Sequence, residues 1–217
     1  SPTIPSRELA DLKVPIGTIE REDTYVSSVN TDNYMGGIQA VSLLAKHGCD
    51  VLIHINTPTP ESVPAYGRIR GFEDFCRDHQ LPHEVFLRNL GQHYEQDPRT
   101  LQEILSILEE KYQGKKKGIF VTNDTHANTL LNLLIRRYGK LPPDYYIIGF
   151  DNSPVSQEAV FPISTIGQQI DKISHEAVRL LVEQMNEQKK RKPAPLTEPV
   201  HKVIAPVLLR RYTTERE

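Results

Sequence analysis

The sequence predicts an α/β fold built on a doubly wound parallel sheet, and three observations carry this prediction. Segments typical of strands and of helices alternate along almost the whole chain of 217 residues. Two of the strand-like segments, 118–122 and 145–150, are apolar and rich in β-branched or aromatic residues, as are strands buried on both faces of a parallel sheet. The connections are short, as in repeated β-α units.

The first half of the chain contains four predicted strands, which are 14–19, 25–29, 51–55 and 84–87. Between the second and third of them lies a helix over 33–47. Its apolar residues recur at helical spacing, and Gly48 is a typical helix terminator. A second helix follows the Pro/Thr-rich loop 56–60 and buries the residues Val63, Ile69, Phe72, Phe75 and Cys76.

The second half begins with a helix that we expect Asp97 to cap, with Pro98 in its first position. The strand 118–122 then leads into a helix over 124–138. After the strand 145–150 the pattern changes to a Pro-containing loop and the segment 163–166. The remaining predicted elements are a helix over 170–187, a basic linker over 188–195 and a last strand over 200–209.

Composition excludes several classes of function. Charged residues make up 25% of the chain and apolar residues 38%, which is ordinary for a globular protein. A net charge of −2 gives no electrostatic footprint for nucleic acid on this chain. No apolar stretch approaches the ~20 residues of a membrane span, and the first residues lack a signal-peptide pattern. The two cysteines, Cys49 and Cys76, favour a reduced cytosolic pair over a disulfide.

Two predicted strands end in paired polar residues, Asn123-Asp124 and Asp151-Asn152. The carboxyl ends of parallel strands form the ligand crevice of an open α/β sheet. Buried carboxylates and amides there are unfavourable unless they are hydrogen-bonded, which predicts a small polar ligand. Two alternatives need no ligand: Asn123 or Asp124 could cap a helix, and Asp151 could open an Asx turn.

Several motifs, in this order and spacing, resemble the effector-binding core of LacI/GalR-type transcription repressors, which is similar to periplasmic sugar-binding proteins. The matching segments are Val29-Asn30-Thr31-Asp32 with Gly36-Gly37, Arg68-Ile69-Arg70-Gly71-Phe72, Val121-Thr122-Asn123-Asp124, Ile148-Gly149-Phe150-Asp151-Asn152, and Pro162-Ile163-Ser164-Thr165-Ile166 with Gln168. The resemblance covers about 200 residues.

This resemblance implies a periplasmic-binding-protein-like fold with two subdomains. We expect a complete C-terminal subdomain over 32–167 and 196–217, and part of the N-terminal subdomain over 1–31 and 168–195. The first strands of the family's N-terminal subdomain and its DNA-reading helix-turn-helix have no counterpart in this sequence. Operator DNA would therefore be bound only through that missing segment.

The resemblance also implies the ligand-binding residues. Arg68 matches the arginine that grips sugar hydroxyls, and its planar guanidinium can hold two neighbouring oxygens. Asn123 can both donate to and accept from a diol, and Asp151 is an ionised acceptor that two hydroxyls can share. Arg70, two positions after Arg68 on the same predicted helix, is expected to face away from the ligand.

Three further residues complete the expected ligand set. Gln168 lies at a crossover between the subdomains. Glu20 falls where the family often has an aspartate, and Tyr94 falls near the aromatic ring that packs against a pyranose.

Other chemistry finds less support in the sequence. Cys76, His79 and His83 could be imagined as a zinc site, but Pro82 breaks the helical spacing and a fourth ligand is lacking. No Gly-rich phosphate loop and no nucleophile elbow occur. We therefore expect no catalytic residue, no metal and no cofactor.

The resulting hypothesis is a cytoplasmic sensor domain of a LacI/GalR-type regulator that binds a sugar or sugar phosphate. The alternative is a periplasmic sugar-binding component of a transporter, and an enzyme on a flavodoxin-like sheet is a more distant one. The resemblance further implies a homodimer through the helix 124–138 and the loop 155–161. The residues expected at that interface are Leu131, Leu134, Ile135, Val160 and Phe161.

Overall fold

The computed structural model describes residues 6–12, 14–21, 24–91, 97–190 and 198–216, which form two compact units. The larger unit contains Asn33–Pro60, Ala65–Gln168 and the described residues from Pro206 onward. The smaller unit contains the described residues up to Asp32, the short segment Glu61–Pro64 and the described part of Gln169–Ala205.

The larger unit is built on a six-stranded sheet. Its strands in chain order are β3 (Val51–Asn56), β4 (His83–Leu87), β5 (Lys117–Val121), β6 (Tyr145–Asp151), β7 (Ser164–Gly167) and β9 (Val207–Leu209). They lie in the order β4-β3-β5-β6-β7-β9, and every neighbouring pair is parallel except β7 with β9. The predicted doubly wound parallel sheet is confirmed, with one antiparallel edge strand added.

Helices cover both faces of this sheet. Their bounds are α2 (Asn33–Lys46), α3 (Gly67–Asp78), α4 (Arg99–Lys111), α5 (Asp124–Tyr138) and α6 (Pro154–Glu158), and a 3₁₀ turn spans Pro64–Tyr66. Successive residues of a strand contribute to opposite cores, as in β5, where Ile119 belongs to the core containing α4 and α5 residues and Phe120 to the core containing α2 and α3 residues. This alternation explains why β5 from Gly118 and β6 up to Phe150 contain no charged residue.

Two glycines bring α2 and α3 close together. A Cβ atom at Gly37 would lie 2.5 Å from the carbonyl oxygen of Arg68, and one at Gly71 would overlap the carbonyl oxygen of Tyr34. Only glycine fits at such a close approach of two backbones. These glycines therefore fix the position of the first turn of α3, which carries Arg68.

The smaller unit has a three-stranded parallel sheet in the order β1-β2-β8. Its elements are α1 (Ser6–Asp11), β1 (Gly17–Ile19), β2 (Ser27–Thr31), α7 (Ile170–Gln188) and β8 (His201–Ile204). The core of this unit contains Val29 from β2 and three residues of α7, with Ile204 packed against them.

The structure corrects three details of the predicted elements. The predicted strand 200–209 is two strands, β8 and β9, which belong to different units and are separated by Ala205-Pro206. The Asp97 carboxylate accepts from the backbone N–H of Arg99 but the helix begins only at Arg99, with Pro98 in the cap position. The helices α1 and α6 were not expected; α6 is only five residues long and begins at Pro154.

Candidate functional site

The predicted ligand residues of the larger unit gather at the carboxyl edge of its sheet. Asn123 follows β5, Asp151 is the last residue of β6, and Gln168 follows β7. These three strands are neighbours in the order β5-β6-β7, so parallel pairing brings their ends together. Arg68, from the first turn of α3, reaches the same edge.

The side chain of Arg68 is held in one position by three groups. Its Nε donates to Asn33 Oδ1 at 2.9 Å, its Nη1 donates to the carbonyl oxygen of Thr122 at 2.8 Å, and its guanidinium carbon lies 3.6 Å from the ring centroid of Phe150. Only 11% of the side chain is exposed. The guanidinium is thus a planar donor held in a fixed orientation at the carboxyl edge.

Asp151 lies beside this arginine and is more accessible. Its Oδ1 is 3.8 Å from Arg68 Nη2 and accepts from Gln168 Nε2 at 2.7 Å, while 35% of its side chain is exposed. Asp151 and Asn152 both have positive φ, at 106° and 53°. Such angles are strained for residues with a side chain and cluster at functional sites.

The Asp151 carboxylate does not form the alternative Asx turn to Ser153, because the backbone N–H of Ser153 donates to Asp124 instead. The Asx turn, one of the two alternatives for Asp151, is therefore not formed.

Asn123 has the capping role that the sequence left open. Its side-chain oxygen accepts from the backbone N–H of His126 at 2.9 Å, and Asn123 is the N-cap residue of α5. The residue is buried. The capping bond uses one of the two acceptor positions of the amide oxygen, so it does not by itself decide between capping and ligand contact.

Asp124 is a second carboxylate at this edge, and sequence reasoning did not identify its role. Its Oδ2 accepts from the backbone N–H and the hydroxyl of Ser153, and its Oδ1 accepts from the Thr165 hydroxyl at 2.7 Å. Burial raises the pKa of Asp124 to about 6, against the effect of these donors. The network ties the segment after Asp151 to β7, since the Thr165 hydroxyl also accepts from the backbone N–H of Asn152.

A buried histidine lies within the sheet beneath Arg68. His54 Nδ1 donates to the carbonyl oxygen of Phe120 at 2.9 Å, and its Nε2 accepts from Asn56. Its ring stacks on that of Phe120 with centroids 4.4 Å apart. Burial lowers the pKa of His54 to about 4, and the Arg68 charge adds to this effect, so the ring is neutral at physiological pH.

The remaining predicted site residues are placed as follows. Glu20 belongs to the smaller unit, where its Oε1 accepts from the backbone N–H and the hydroxyl of Thr31. It has a positive φ of 54°. Tyr94 lies outside the described residues. Arg70 is exposed and lies over the Tyr34 ring, as its expected orientation away from the ligand requires.

The sequence analysis did not identify Asn33, Phe150 and His54 as neighbours of Arg68. In the sequence Asn33 was only the start of a predicted helix, and Phe150 was only part of a strand and of a matching motif. Their contacts with Arg68 are non-local, so no role in the site was predicted.

Within the part of the chain that the structure describes, no group of three or more His, Cys, Asp or Glu side chains could hold a metal ion. In the same residues, no helix is long and apolar enough to cross a membrane. The contacts of Arg68, Asp151 and Gln168 make the carboxyl edge a set of hydrogen-bonding groups. Its chemistry suits a polar organic ligand.

Comparison with known proteins decides the family. The model of the periplasmic binding protein-like domain matches residues 41–205. The chain belongs to this family. This match spans β3 to β8 and includes Arg68, Asn123, Asp151 and Gln168.

Relatives of this periplasmic binding protein-like chain include transcription regulators. It is 24% identical to the ribose operon repressor of Halalkalibacterium halodurans over 183 residues, which are 84% of this chain and 53% of that protein. It is 25% identical to the HTH-type transcriptional regulator CelR of Thermobifida fusca, over 88% of this chain and 52% of that protein. The chain spans about half the length of these curated relatives.

Solved structures have the same fold. A periplasmic binding protein/LacI transcriptional regulator from Alkaliphilus metalliredigens, complexed with D-xylulofuranose, has a TM-score of 0.72 and 26% identity. The match covers 96% of this chain and 74% of that one. The CelR–cellobiose complex, at 23% identity and a TM-score of 0.69, shows the fold alone.

Proposed function

We propose that this chain is the effector-sensing part of a LacI/GalR-type transcription regulator and that it binds a sugar at the carboxyl edge of the larger sheet. The observation that carries the proposal is the pairing of Arg68 with Asp151, which is one-third exposed and has a strained backbone conformation. Arg68 Nη2 is a fixed donor and Asp151 Oδ1 is an ionised acceptor, and the two atoms are 3.8 Å apart. A sugar hydroxyl can accept a hydrogen bond from the first and donate one to the second.

The neighbouring groups extend this match to a diol. Gln168 can both donate and accept, and it is already bonded to Asp151. The guanidinium of Arg68 is planar and can span two adjacent oxygens, which an ammonium cannot. Glu20 of the smaller unit and Tyr94, outside the described residues, remain further candidates that we propose by resemblance.

The names of the relatives suggest which sugars to test first. One is a ribose operon repressor, and another regulator was solved with D-xylulofuranose bound. We therefore propose a pentose or a pentose phosphate as the first candidates, with disaccharides such as cellobiose as the second group.

In the whole protein, sugar binding would change the affinity for operator DNA, which a separate helix-turn-helix would contact. Such coupling between two sites is typically worth ~1–3 kcal/mol and is reciprocal. The protein would act in the cytoplasm, where the operator is. The alternative, a transporter component, predicts sugar binding with no effect on DNA.

A thermal-shift screen of the full-length protein against sugars and sugar phosphates tests the proposal. A true effector at ~100 times its dissociation constant stabilises the folded state by about 2.7 kcal/mol. The screen is followed by an electrophoretic mobility shift on the DNA upstream of the protein's own gene. A sugar that stabilises the protein without moving its DNA affinity would support the transporter alternative.

We also propose a homodimer, with a revised interface. Leu131 and Leu134 are fully buried in the chain's own core with residues of α4, so they are not a free apolar flank. Val160, however, is 69% exposed, and beside it Phe161 stacks on Tyr212 with ring centroids 4.5 Å apart. An apolar patch of this kind suits a self-complementary two-fold contact.

Light scattering of wild type and Val160→Glu tests the dimer. We expect a dimer that becomes monomeric in the variant with an unchanged melting temperature, because two carboxylates would face each other across the axis. Leu131→Glu is the contrasting control, since it should unfold the chain whatever its oligomeric state. A monomeric wild type at tens of micromolar would overturn the proposal.

A further inference from the structure

An arginine that follows β9 joins three separate segments of the larger unit. Arg211 Nη1 donates to the Ser156 hydroxyl at 2.8 Å and to the carbonyl oxygen of Ile163 at 3.1 Å. Its Nη2 donates to Asn152 Oδ1 at 2.7 Å. The guanidinium therefore bonds the short helix α6, the residue before β7 and the residue after β6. A planar head with five donors can reach acceptors in different directions at once, which an ammonium cannot do.

The backbone that carries this guanidinium is itself fixed. The N–H of Arg211 donates to the Ser164 hydroxyl at 2.8 Å. Two residues later, the fully buried Thr213 accepts from the backbone N–H of Ser164 and donates to the carbonyl oxygen of Ile147. Ser164 begins β7 and Ile147 lies in β6. Arg211 is thus attached to the same two strands whose carboxyl ends lead to Asp151 and Gln168.

Asn152 is the important acceptor, because it adjoins Asp151 in a conformation that needs support. Both residues have positive φ, and Asn152 is exposed, so packing contributes little to holding its side chain. Its backbone N–H donates to the Thr165 hydroxyl at 3.2 Å. The bond from Arg211 to the Asn152 side chain is shorter and has a charged donor, which makes it the stronger of the two.

The two consecutive arginines, Arg210 and Arg211, have different surroundings. The Arg210 side chain is 56% exposed and its guanidinium lies 3.8 Å from Glu215. Arg211 is partly buried, and the described acceptors of its side chain are neutral oxygens. Arg210 therefore offers a matched control for substitutions of Arg211.

We propose that Arg211 is a positioning residue of the carboxyl-edge site: it holds the Asn152 side chain and, through it, the orientation of the Asp151 carboxylate. The inference rests on the proposed function, because it assigns a further residue to the same sugar site. When the bond to Asn152 is lost, the segment spends part of its time with Asp151 turned away. The apparent dissociation constant then rises in inverse proportion to the fraction that is competent to bind.

The first test is calorimetric titration of the full-length protein with D-ribose. Arg211→Lys keeps the positive charge but cannot hold the three acceptors together, and it should weaken binding about fivefold, which corresponds to about 1 kcal/mol. The loss is smaller than at Asp151 itself, because the bond from Gln168 to Asp151 remains. Arg210→Lys makes the same exchange at the exposed neighbour and should bind as wild type does.

A double-mutant cycle separates positioning from a merely structural role. Asn152→Gly removes the acceptor and adopts a positive φ without strain, so it should also weaken D-ribose binding about fivefold. Combined with Arg211→Lys, the loss should stay near fivefold, because both changes break the same bond, whereas independent effects would multiply to about 25-fold. The fall in melting temperature that Arg211→Lys causes through Ser156 and Ile163 should appear in both backgrounds.

Amide hydrogen exchange without sugar tests the same bond independently of ligand. The N–H groups of Asn152 and Ser153 are bonded to Thr165 and Asp124. They should exchange about fivefold faster in Arg211→Lys than in Arg210→Lys, because local opening of the segment becomes easier.

Two titration results would overturn the proposal: D-ribose affinity in Arg211→Lys equal to that of wild type, or a loss near 25-fold in the double variant. If wild type itself does not bind D-ribose, the proposed pentose site fails for this sugar. The exchange measurement then still decides, since unchanged exchange of Asn152 and Ser153 in Arg211→Lys would refute the positioning role by itself.

Discussion

Two carboxylates at the carboxyl ends of neighbouring strands, Asp151 as the last residue of β6 and Asp124 three residues after β5, have opposite surroundings. Asp124 is buried and accepts three hydrogen bonds from Ser153 and Thr165. Asp151 is one-third exposed, lies 3.8 Å from Arg68 and accepts from Gln168. The oxygens of Asp124 thus accept hydrogen bonds from within the protein, whereas the exposed part of Asp151 can still accept hydrogen bonds from solvent or a bound molecule.

The hydrogen bonds of Asp124 hold the backbone that follows Asp151. Asp124 holds Ser153, two residues after Asp151, and its partner Thr165 binds the backbone N–H of Asn152. Asp151 and Asn152, which both have positive φ, are therefore held by the hydrogen bonds to the N–H groups of Asn152 and Ser153. A strained backbone persists only where the surroundings determine it in this way.

Replacing each carboxylate by alanine should change the unfolding free energy by different amounts, and we expect the larger loss at Asp124. Asp124→Ala leaves one N–H and two hydroxyls without their acceptor and should destabilise the fold by about 3 kcal/mol. Asp151→Ala should change the unfolding free energy by less than about 1 kcal/mol, because its ion pair is partly screened by solvent. Urea denaturation measures both. Equal losses would mean that the two carboxylates do not differ as described.

Asp124 and the buried His54 should affect the pH dependence of the unfolding free energy in opposite directions. Since the pKa of His54 falls from 6.5 to about 4 on folding, the unfolded chain binds more protons in that window. His54 therefore stabilises the fold above pH 6.5, and this contribution is lost as the pH falls to 4, by roughly 3 kcal/mol.

Asp124 acts in the opposite direction in nearly the same window. Its pKa rises from 3.8 to about 6 on folding, so the folded chain gains stability as the pH falls from 6 to 3.8, also by roughly 3 kcal/mol. The two effects should nearly cancel in wild type. Asp124→Asn should make the fold more acid-sensitive than wild type, and His54→Gln less so. Parallel pH profiles of unfolding free energy in all three proteins would contradict this.

Two substitutions at Asn123 separate capping from ligand contact. Asn123→Ala removes the N-cap oxygen and should destabilise α5 by about 1 kcal/mol, whereas Asn123→Ser keeps a capping oxygen and should stay close to wild type. If the amide nitrogen contacts the sugar, both variants lose affinity. Thermal melts and sugar titrations of the pair read the two roles independently.

The smallest effect on stability should come from Asp151→Gly. Glycine adopts a φ of 106° without strain, which should offset the loss of the bonds to Gln168 and Arg68 and leave the unfolding free energy within about 1 kcal/mol of wild type. Sugar binding should nevertheless disappear. Destabilisation well beyond 1 kcal/mol would show that the carboxylate is structural.

The sequence allowed the sheet and its edge to be predicted because that information is local. The apolar runs of β5 and β6 and the polar residues after them define both the parallel sheet and the place where ligand residues meet. The bounds of α5 were predicted correctly, since Asn123 caps it and Gly139 ends it in a left-handed conformation.

The partners of those residues could not be predicted in the same way. The contacts of Arg68 with Asn33 and Phe150 join residues far apart in the chain. Likewise, Asp124 and Asp151 look alike in sequence, and only the hydrogen bonds from Ser153 and Thr165 distinguish them. The break between β8 and β9 falls at Ala205-Pro206, where proline lacks an N–H for a strand, and this local signal was overlooked. The pairing of each strand with a different sheet is not a local property of 200–209.

The most direct test of the central claim is calorimetry with the sugar that stabilises the full-length protein most. Arg68→Lys and Asp151→Asn should each weaken its binding on the order of ten- to a hundredfold, the loss expected for a hydrogen bond to a charged group. Asp151→Asn should leave the melting temperature almost unchanged, whereas Arg68→Lys should lower it, because the bonds to Asn33 and Thr122 are also lost. Arg70→Lys, on the exposed side of the same helix, is the matched control and should bind as wild type does. Unchanged affinity in both site variants would contradict the account.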